Sequence, residues 1–359
     1  MKHGIVGRID DGIFQYQGWP TVCKDENGVL YAACSGFRLG HVCPLGKNVM
    51  YISREEGKTW SSPIVVNDTV MDDRDAGILC MGQGKMLLSW FSHPMSFYED
   101  RRGKFSHWVQ KEKALFTDAA MTYWTVARDK ERYGSFVKLS EDGGFTWGET
   151  VQVPATSPHG PIQLHDGRLI WIGREFHSGE YPKDATLVLA SCDGGKSWDC
   201  ISQIPFPQEY EGALFCEPDV AELPDGTLMG AIRAQGEPVP FKFTVFTTFS
   251  ADGGRTWTMP ECLGISGSPP HLLVHSSGKV ILTYARRQKP CRIAARISED
   301  NGRTFGEEIE LHASADPDIG YPSTVELSDG SMLTAYYQTY GDDQFTSILY
   351  TKWSLDEIL

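Results

Sequence analysis

Six pairs of short apolar segments recur along the chain, and a polar turn that contains glycine divides each pair. The pairs run over 21–35, 77–92, 161–173, 219–233, 271–286 and 323–338. Their turns include Asn27-Gly28, Asp166-Gly167 and Asp329-Gly330. Such dipeptides favour β-hairpins because both central positions tolerate positive φ. The pattern therefore predicts six β-hairpins.

A second repeat alternates with the hairpins. A Ser-x-Asp-x-Gly-x-Thr-Trp octapeptide or a close variant occurs five times, at 53–60, 140–147, 191–198, 250–257 and 298–305. The Ser and Asp side chains can bond the turn's own amides, the Gly permits positive φ, and the aromatic residue packs on the layer beneath. We interpret these residues as structural, and the spacing of about 50 residues indicates a repeat architecture.

Hairpin, third strand, octapeptide turn and fourth strand make one four-stranded antiparallel unit. Six units predict an all-β fold, a six-bladed β-propeller, over a single domain at 1–359. The last unit keeps only Ser354-Leu355-Asp356 of its octapeptide, so we expect a strand near 4–9 to close the ring. The stretch 93–133 is predicted to be an insertion in blade 2 with a helix within 112–121. A lid and an oligomer contact both fit it.

The composition of the chain argues against several classes of partner and cofactor. The net charge of −14 argues against nucleic acid or an anionic membrane as a general partner. No apolar run is long enough for a signal peptide or a membrane span, which predicts a cytoplasmic location. The nine cysteines are scattered and form no C-x-x-C pair, so no metal, redox centre or other cofactor is expected. A homo-oligomer is compatible with the sequence.

In a propeller, the first strand of each blade lines the channel and starts at the end where the second strand finishes. The residues at these strand ends are therefore predicted to surround one mouth of the channel, and many of them are charged or aromatic. Its candidate residues are Trp19, Arg38, His41, Asp73, Arg74, Asp75, His159, Arg174, Glu217, Arg233, His271, Arg286, Tyr321 and Tyr337. Converging arginines favour an anionic ligand, because guanidinium forks match carboxylates. The alternative is that each arginine pairs with a neighbouring carboxylate.

The octapeptides are similar to the Asp boxes of sialidases and related bacterial neuraminidase repeat proteins, over nearly the whole chain. Glu217-Pro218 opens blade 4 where sialidases place the Glu that assists the nucleophile. Arg233 follows where they place one arginine of a carboxylate-binding triad, and Tyr321 opens blade 6 at the place of their nucleophilic Tyr. The resemblance implies a Tyr nucleophile because a carboxylate would be repelled by a sialoside's own carboxylate. A channel-lining Tyr321 and a structural Glu217–Arg233 pair are the alternatives.

Two departures from the family matter. Sialidases begin blade 1 with Phe-Arg-Ile-Pro, whereas this chain has Gly18-Trp19-Pro20, so one triad arginine is absent. The general-acid Asp expected after Arg38 is also missing, and only His41 stands there. The third triad arginine corresponds to Arg286 or Arg292, and the spacing does not decide between them.

Another group must then supply the acid, because an oxygen leaving group departs poorly unprotonated. Asp75 and Asp73 are the candidates, against a structural Asp–Arg network. His41, His159 and His271 are candidates for substrate contact or catalysis, or they serve packing. Metal binding by them is the weakest option, because they share no local ligand spacing. Trp19 is either a platform for a sugar ring or a plug in the channel.

We expect an exo-glycoside hydrolase that releases a terminal acidic or unusual sugar from an oligosaccharide. Tyr321 and Glu217 would form the nucleophile pair, and arginines would hold the substrate. Since the blade 1 arginine is absent, another acidic sugar such as a uronate is favoured over sialic acid. A polysaccharide lyase and a glycan-binding propeller without activity are the alternatives.

Overall fold

A computed structural model describes residues 1–122 and 131–357 of the chain. Its strands form six antiparallel sheets arranged as the blades of a β-propeller, which confirms the predicted fold. The strands of blades 1 to 3 are β2 (Tyr16–Lys24), β3 (Leu30–Arg38), β4 (Lys47–Ser53), β5 (Ile64–Asn67); β6 (Arg74–Cys80), β7 (Met86–Ser92), β8 (Gly134–Ser140), β9 (Val151–Val153); and β10 (Ala155–Thr156), β11 (Ile162–Gln163), β12 (Leu169–Glu175), β13 (Thr186–Ser191), β14 (Asp199–Gln203).

The inner strand of blade 3 is split, because β10 and β11 both pair with β12. The strands of blades 4 to 6 are β15 (Leu214–Glu222), β16 (Leu228–Gln235), β17 (Thr244–Ser250), β18 (Glu261–Ser266); β19 (His271–Val274), β20 (Val280–Arg286), β21 (Cys291–Ser298), β22 (Ile309–Ser314); and β23 (Gly320–Glu326), β24 (Met332–Thr339), β25 (Thr346–Trp353) and β1 (Lys2–Gly7).

The N-terminal strand closes the ring. β1 pairs antiparallel with β25, with Lys2 opposite Lys352 and Gly4 opposite Tyr350, and so supplies the outer strand of blade 6. Pairing the first strand of the chain with the last blade removes an open edge between the termini. The strand expected near 4–9 is therefore present.

The octapeptides are self-contained turns. In the second copy, one oxygen of Asp142 accepts the amides of Phe145 and Thr146, and the Gly144 amide donates to the Ser140 hydroxyl. Asp193, Asp252 and Asp300 bond their own turns in the same way. These hydrogen bonds lower the pKa of each of the four carboxyls to about 2. The turns follow the third strand of each blade, and hence lie at the end of the propeller opposite the predicted mouth.

Short helices occupy the connection between β7 and β8. They are α1 (Met95–Glu99), a 3-10 turn (Phe105–His107) and α2 (Lys111–Thr122), and α2 corresponds to the helix predicted at 112–121. Residues 123–130 of the predicted insertion lie outside the described range. Further 3-10 turns cover Gln208–Tyr210 and Leu355–Glu357. None of the helices within the described residues has the length and apolar character needed to cross a membrane.

Candidate active site

The inner strands of four blades share one backbone irregularity at the mouth. Each pairing with the second strand shifts register there, between Gly18 and Thr21, Arg74 and Gly77, Cys216 and Asp219, and Gly320 and Ser323. Within each shift one residue has a left-handed backbone, namely Trp19 (φ 57°), Asp75 (50°), Glu217 (48°) and Tyr321 (53°). Such φ values are uncommon outside glycine and cluster at functional sites. A bulge also re-aims a side chain relative to a regular strand.

Three of these four residues line one cavity of about 260 Å³, which we call the inner cavity. Its wall carries four arginines but only two acidic residues. The charged residues are Arg74, Arg174, Arg233, Arg287, Asp75 and Glu217, and Tyr321 and His41 are beside them. A cavity with this excess of guanidinium groups favours an anionic ligand.

Tyr321, Glu217 and Arg233 form a continuous hydrogen-bonded chain. The Tyr321 hydroxyl donates to Oε1 of Glu217, and Nη1 of Arg233 donates to Oε2 of the same carboxylate. Burial favours the neutral form of Glu217, but the charge of Arg233 and the Tyr321 hydrogen bond outweigh it and lower the pKa. Burial raises the pKa of Tyr321 well above 10. The pair is therefore a neutral phenol that is hydrogen-bonded to an ionised carboxylate.

Asp75 has the opposite character. Its side chain is buried, and its Oδ1 has no hydrogen-bond partner among residues 1–122 and 131–357. Burial raises its pKa to about 7, against the opposing charge of Arg74, and the negative charge of Glu217 adds to the rise. Two carboxyl groups in one cavity thus have pKa values displaced in opposite directions, which is how acid and base roles are separated at neutral pH.

His41 lies beside a carboxylate that the sequence reasoning missed. Its Nδ1 is 2.9 Å from Oδ1 of Asp318, and the hydroxyls of Tyr16 and Tyr337 donate to the Asp318 carboxylate over 3.0 and 3.1 Å. Burial lowers the pKa of His41 in spite of Asp318. Asp318 stands two residues before Gly320, where blade 6 begins. That place at the start of an inner strand could have identified Asp318 as a residue of the mouth. Tyr337 is fully buried and lines neither cavity, so the structure does not support the predicted substrate contact; its hydroxyl donates to Asp318 instead.

A second and larger cavity adjoins the first and shares His41 and Arg287 with it. This outer cavity measures about 760 Å³. Besides Tyr16 and Arg287, segments from the insertion, blade 1, blade 4 and the start and end of blade 6 line it. They are Leu39–His41, Ser106–Gln110, Lys242–Phe243, Asp316–Asp318, Thr339 and Gln344–Thr346.

The structure corrects two of the predicted arginines. Arg38 is fully buried, pairs with both oxygens of Asp72 and donates to the Ser35 hydroxyl, so it has no donor left for a substrate. Arg286 does not line either cavity, and its nearest carboxylate is that of Glu308 at 3.9 Å. Successive residues of a strand point to opposite faces, so the neighbouring residue Arg287 faces the site instead.

Trp19 is not a sugar platform. Its side chain is 1% exposed. The guanidinium carbons of Arg74 and Arg38 lie 4.2 and 4.8 Å from its ring centroid, and the rings of His41 and Tyr321 approach it edge to face. The plug that was the alternative for Trp19 is therefore the correct interpretation.

Asp73 and two of the histidines also lie away from the cavities. The carboxylate of Asp73 accepts the Thr69 amide and hydroxyl over 2.8 and 2.9 Å, and its pKa rises to about 7 because it is buried. His159 and His271 pack edge to face with ring centroids 4.9 Å apart, and burial lowers both pKa values. Neither histidine lines the inner or the outer cavity.

Of the remaining candidates, Arg174 and Arg74 do face the inner cavity. Arg174 holds an ion pair with Asp184 at 3.3 Å, and Arg74 donates to the His41 carbonyl at 3.2 Å. The described residues contain no group of three or more His, Cys, Asp or Glu side chains placed to hold a metal ion.

The sequence resembles a known domain family and one bacterial sialidase. The BNR repeat-like domain family matches residues 105–334. A sialidase of Micromonospora viridifaciens is 24% identical over 196 residues, and the match spans 47% of this chain but only 30% of that protein.

Solved structures agree in fold. A Dyadobacter fermentans protein of unknown function superposes with a TM-score of 0.76 at 22% identity, over 98% of this chain and 97% of its own. The intramolecular trans-sialidase of Ruminococcus gnavus gives 0.62 at 15% identity, over 96% of each chain. The chain therefore belongs to the BNR repeat-like domain family, and it shares its propeller fold with the solved sialidase-related structure.

Proposed function

We propose that the protein is an exo-glycoside hydrolase that removes a terminal acidic sugar from an oligosaccharide, with Tyr321 as nucleophile. The observation that carries this proposal is the pairing of Tyr321 with Glu217 in the inner cavity. A neutral phenol beside an ionised carboxylate is the arrangement that an activated oxygen nucleophile requires. The volume of about 260 Å³ suits one sugar residue.

The first step follows from these positions. The Tyr321 oxygen forms a bond to the anomeric carbon while its proton passes to Glu217. The glycosidic C–O bond breaks, and the leaving oxygen takes a proton from Asp75. In the second step Asp75, now ionised, removes a proton from water as the water oxygen attacks the anomeric carbon. Tyr321 leaves and recovers its proton from Glu217, which restores the site.

The arginines support an acidic substrate. Arg233 and Arg287 stand on the Tyr321 side of the cavity, since both interact electrostatically with that hydroxyl. Blade 1 offers Trp19 where sialidases have an arginine, yet Arg74 from blade 2 covers that indole. A guanidinium therefore occupies the space next to blade 1, and three arginines are available for a sugar carboxylate.

A screen of sialosides, uronides and neutral glycosides tests the activity, with the products identified by mass spectrometry. On the best substrate, Tyr321→Phe and Glu217→Gln should each lower kcat by at least about 100-fold, because both act in forming the glycosyl bond. If the wild type is quenched during turnover of an activated aryl glycoside, the peptide that contains Tyr321 should carry one added sugar. An unsaturated product would indicate a lyase, and saccharide binding without turnover would indicate a glycan-binding protein.

A further inference from the structure

The insertion in blade 2 forms one wall of the outer cavity. Ser106–Gln110 stand on that side, and blades 1, 4, 5 and 6 supply the others. The two cavities meet at His41 and Arg287, which line both. A molecule held in the inner cavity would therefore have its remaining parts next to the insertion.

The packing of the insertion holds this wall in place. Val109, Phe105 and Met121 share one apolar cluster with Leu39 and other residues of blade 1. Gly40 is at the contact itself, since a Cβ built there would lie 2.7 Å from the Trp108 carbonyl oxygen and 2.3 Å from a Val109 methyl carbon. Only glycine at position 40 permits this approach.

The lining of the outer cavity combines flat apolar surface with hydrogen-bonding groups. Trp108, Phe345 and Phe243 are partly exposed and line this cavity. Gln110, Gln344 and Thr339 add amide and hydroxyl groups. Aromatic faces with a few polar groups are typical of sites that bind small polar molecules, and a sugar ring has both an apolar face and hydroxyls.

We propose that the outer cavity binds the sugar that carries the leaving oxygen, and that the insertion selects which oligosaccharides are cleaved. This inference rests on the proposed function. His41 lies at the junction, with Nδ1 held by Asp318 and with no hydrogen bond from Nε2 to the described residues. A hydroxyl of the leaving sugar can bond this nitrogen while the terminal sugar lies against Tyr321.

The test compares an oligosaccharide with an aryl glycoside of the same terminal sugar. In Trp108→Ala, the ratio of kcat/KM for the oligosaccharide to kcat/KM for the aryl glycoside should fall about fivefold to tenfold, because one aromatic contact is lost. Gly40→Ala should lower the ratio similarly by displacing the insertion. Lys104→Ala, on an exposed insertion residue outside the cavity lining, is the matched control and should keep the wild-type ratio.

A binding measurement separates the two proposals. Calorimetry compares the affinity of the wild type and of Trp108→Ala for the oligosaccharide and for the free terminal sugar. If Trp108→Ala binds the oligosaccharide more weakly but the free terminal sugar as well as the wild type does, the outer subsite is supported even if no substrate is turned over. An unchanged ratio and unchanged affinities in both Trp108→Ala and Gly40→Ala would overturn the inference, while activity on the aryl glycoside would leave the proposed function intact.

Discussion

Replacing Asp75 by Asn removes the proposed proton donor while keeping the shape of the side chain. Because burial raises its pKa to about 7, Asp75 holds a proton in about half of the molecules at pH 7. An aspartate with an ordinary pKa would be protonated in roughly one molecule per thousand. Burial therefore raises the protonated fraction of Asp75 at pH 7 by about two to three orders of magnitude, and the Asp75→Asn variant has no acidic proton to donate.

The assay compares two leaving groups across pH. Asp75→Asn should lower kcat/KM on an oligosaccharide by about 100- to 10,000-fold, but by less than about tenfold on an aryl glycoside, whose leaving group needs no proton. In the wild type, kcat/KM should decline above pH 7 as Asp75 ionises, and at low pH as Glu217 is protonated below its ordinary pKa of 4.5. The alkaline decline should disappear in Asp75→Asn.

Asp73→Asn is the matched control. Asp73 also has a pKa raised to about 7 by burial, but it lies outside both cavities. Its substitution should leave the alkaline limb in place. Equal losses on both substrates in Asp75→Asn, or an alkaline limb that persists there, would refute the role of Asp75 as the acid.

Three further predictions concern binding and stability. Arg287→Ala should raise KM for an acidic substrate at least about tenfold, since a hydrogen bond to a charged group is lost, whereas Arg286→Ala should leave KM unchanged. Equal effects of the two would contradict the assignment. Arg38→Ala should cost roughly 3–5 kcal/mol in denaturant unfolding, because the buried Asp72 carboxylate loses its closest ion pair and keeps only Arg74 at 3.7 Å. A stability close to wild type would show that the Arg38–Asp72 pair is dispensable. Asp193→Ala should lower the melting temperature by loosening its turn but keep kcat/KM, because that turn is at the far end of the propeller. A fall in kcat/KM at unchanged melting temperature would refute this separation.

The predicted fold was confirmed because its signals are local. A hairpin turn such as Asp329-Gly330 and an octapeptide such as 140–147 each bond within a few residues, so the sequence reveals them without reference to the rest of the chain. The predicted hairpins match the first two strands of each blade. Closure of the ring by β1 was also inferred correctly, because blade 6 lacked its fourth strand.

The site was predicted less completely. Tyr321, Glu217, Asp75 and Arg233 could be found because each stands at the end of an inner or second strand. Arg286 was predicted for the site and Arg287 was not, because strand parity at the end of β20 is not readable from the sequence. Asp318 was missed because its contacts with His41 and Tyr16 join residues about 300 positions apart.

The sequence by itself determined the repeat, the number of blades and the mouth at which the chemistry concentrates, since these depend on turns and strand order. Only the tertiary structure decided which charged side chains pair in the interior and which line a cavity. Arg38 and Arg233 are both arginines at the end of a second strand, yet one is fully buried against Asp72 and the other lines the inner cavity. The physical reason is that burial and pairing depend on side chains from neighbouring blades, which no local pattern specifies.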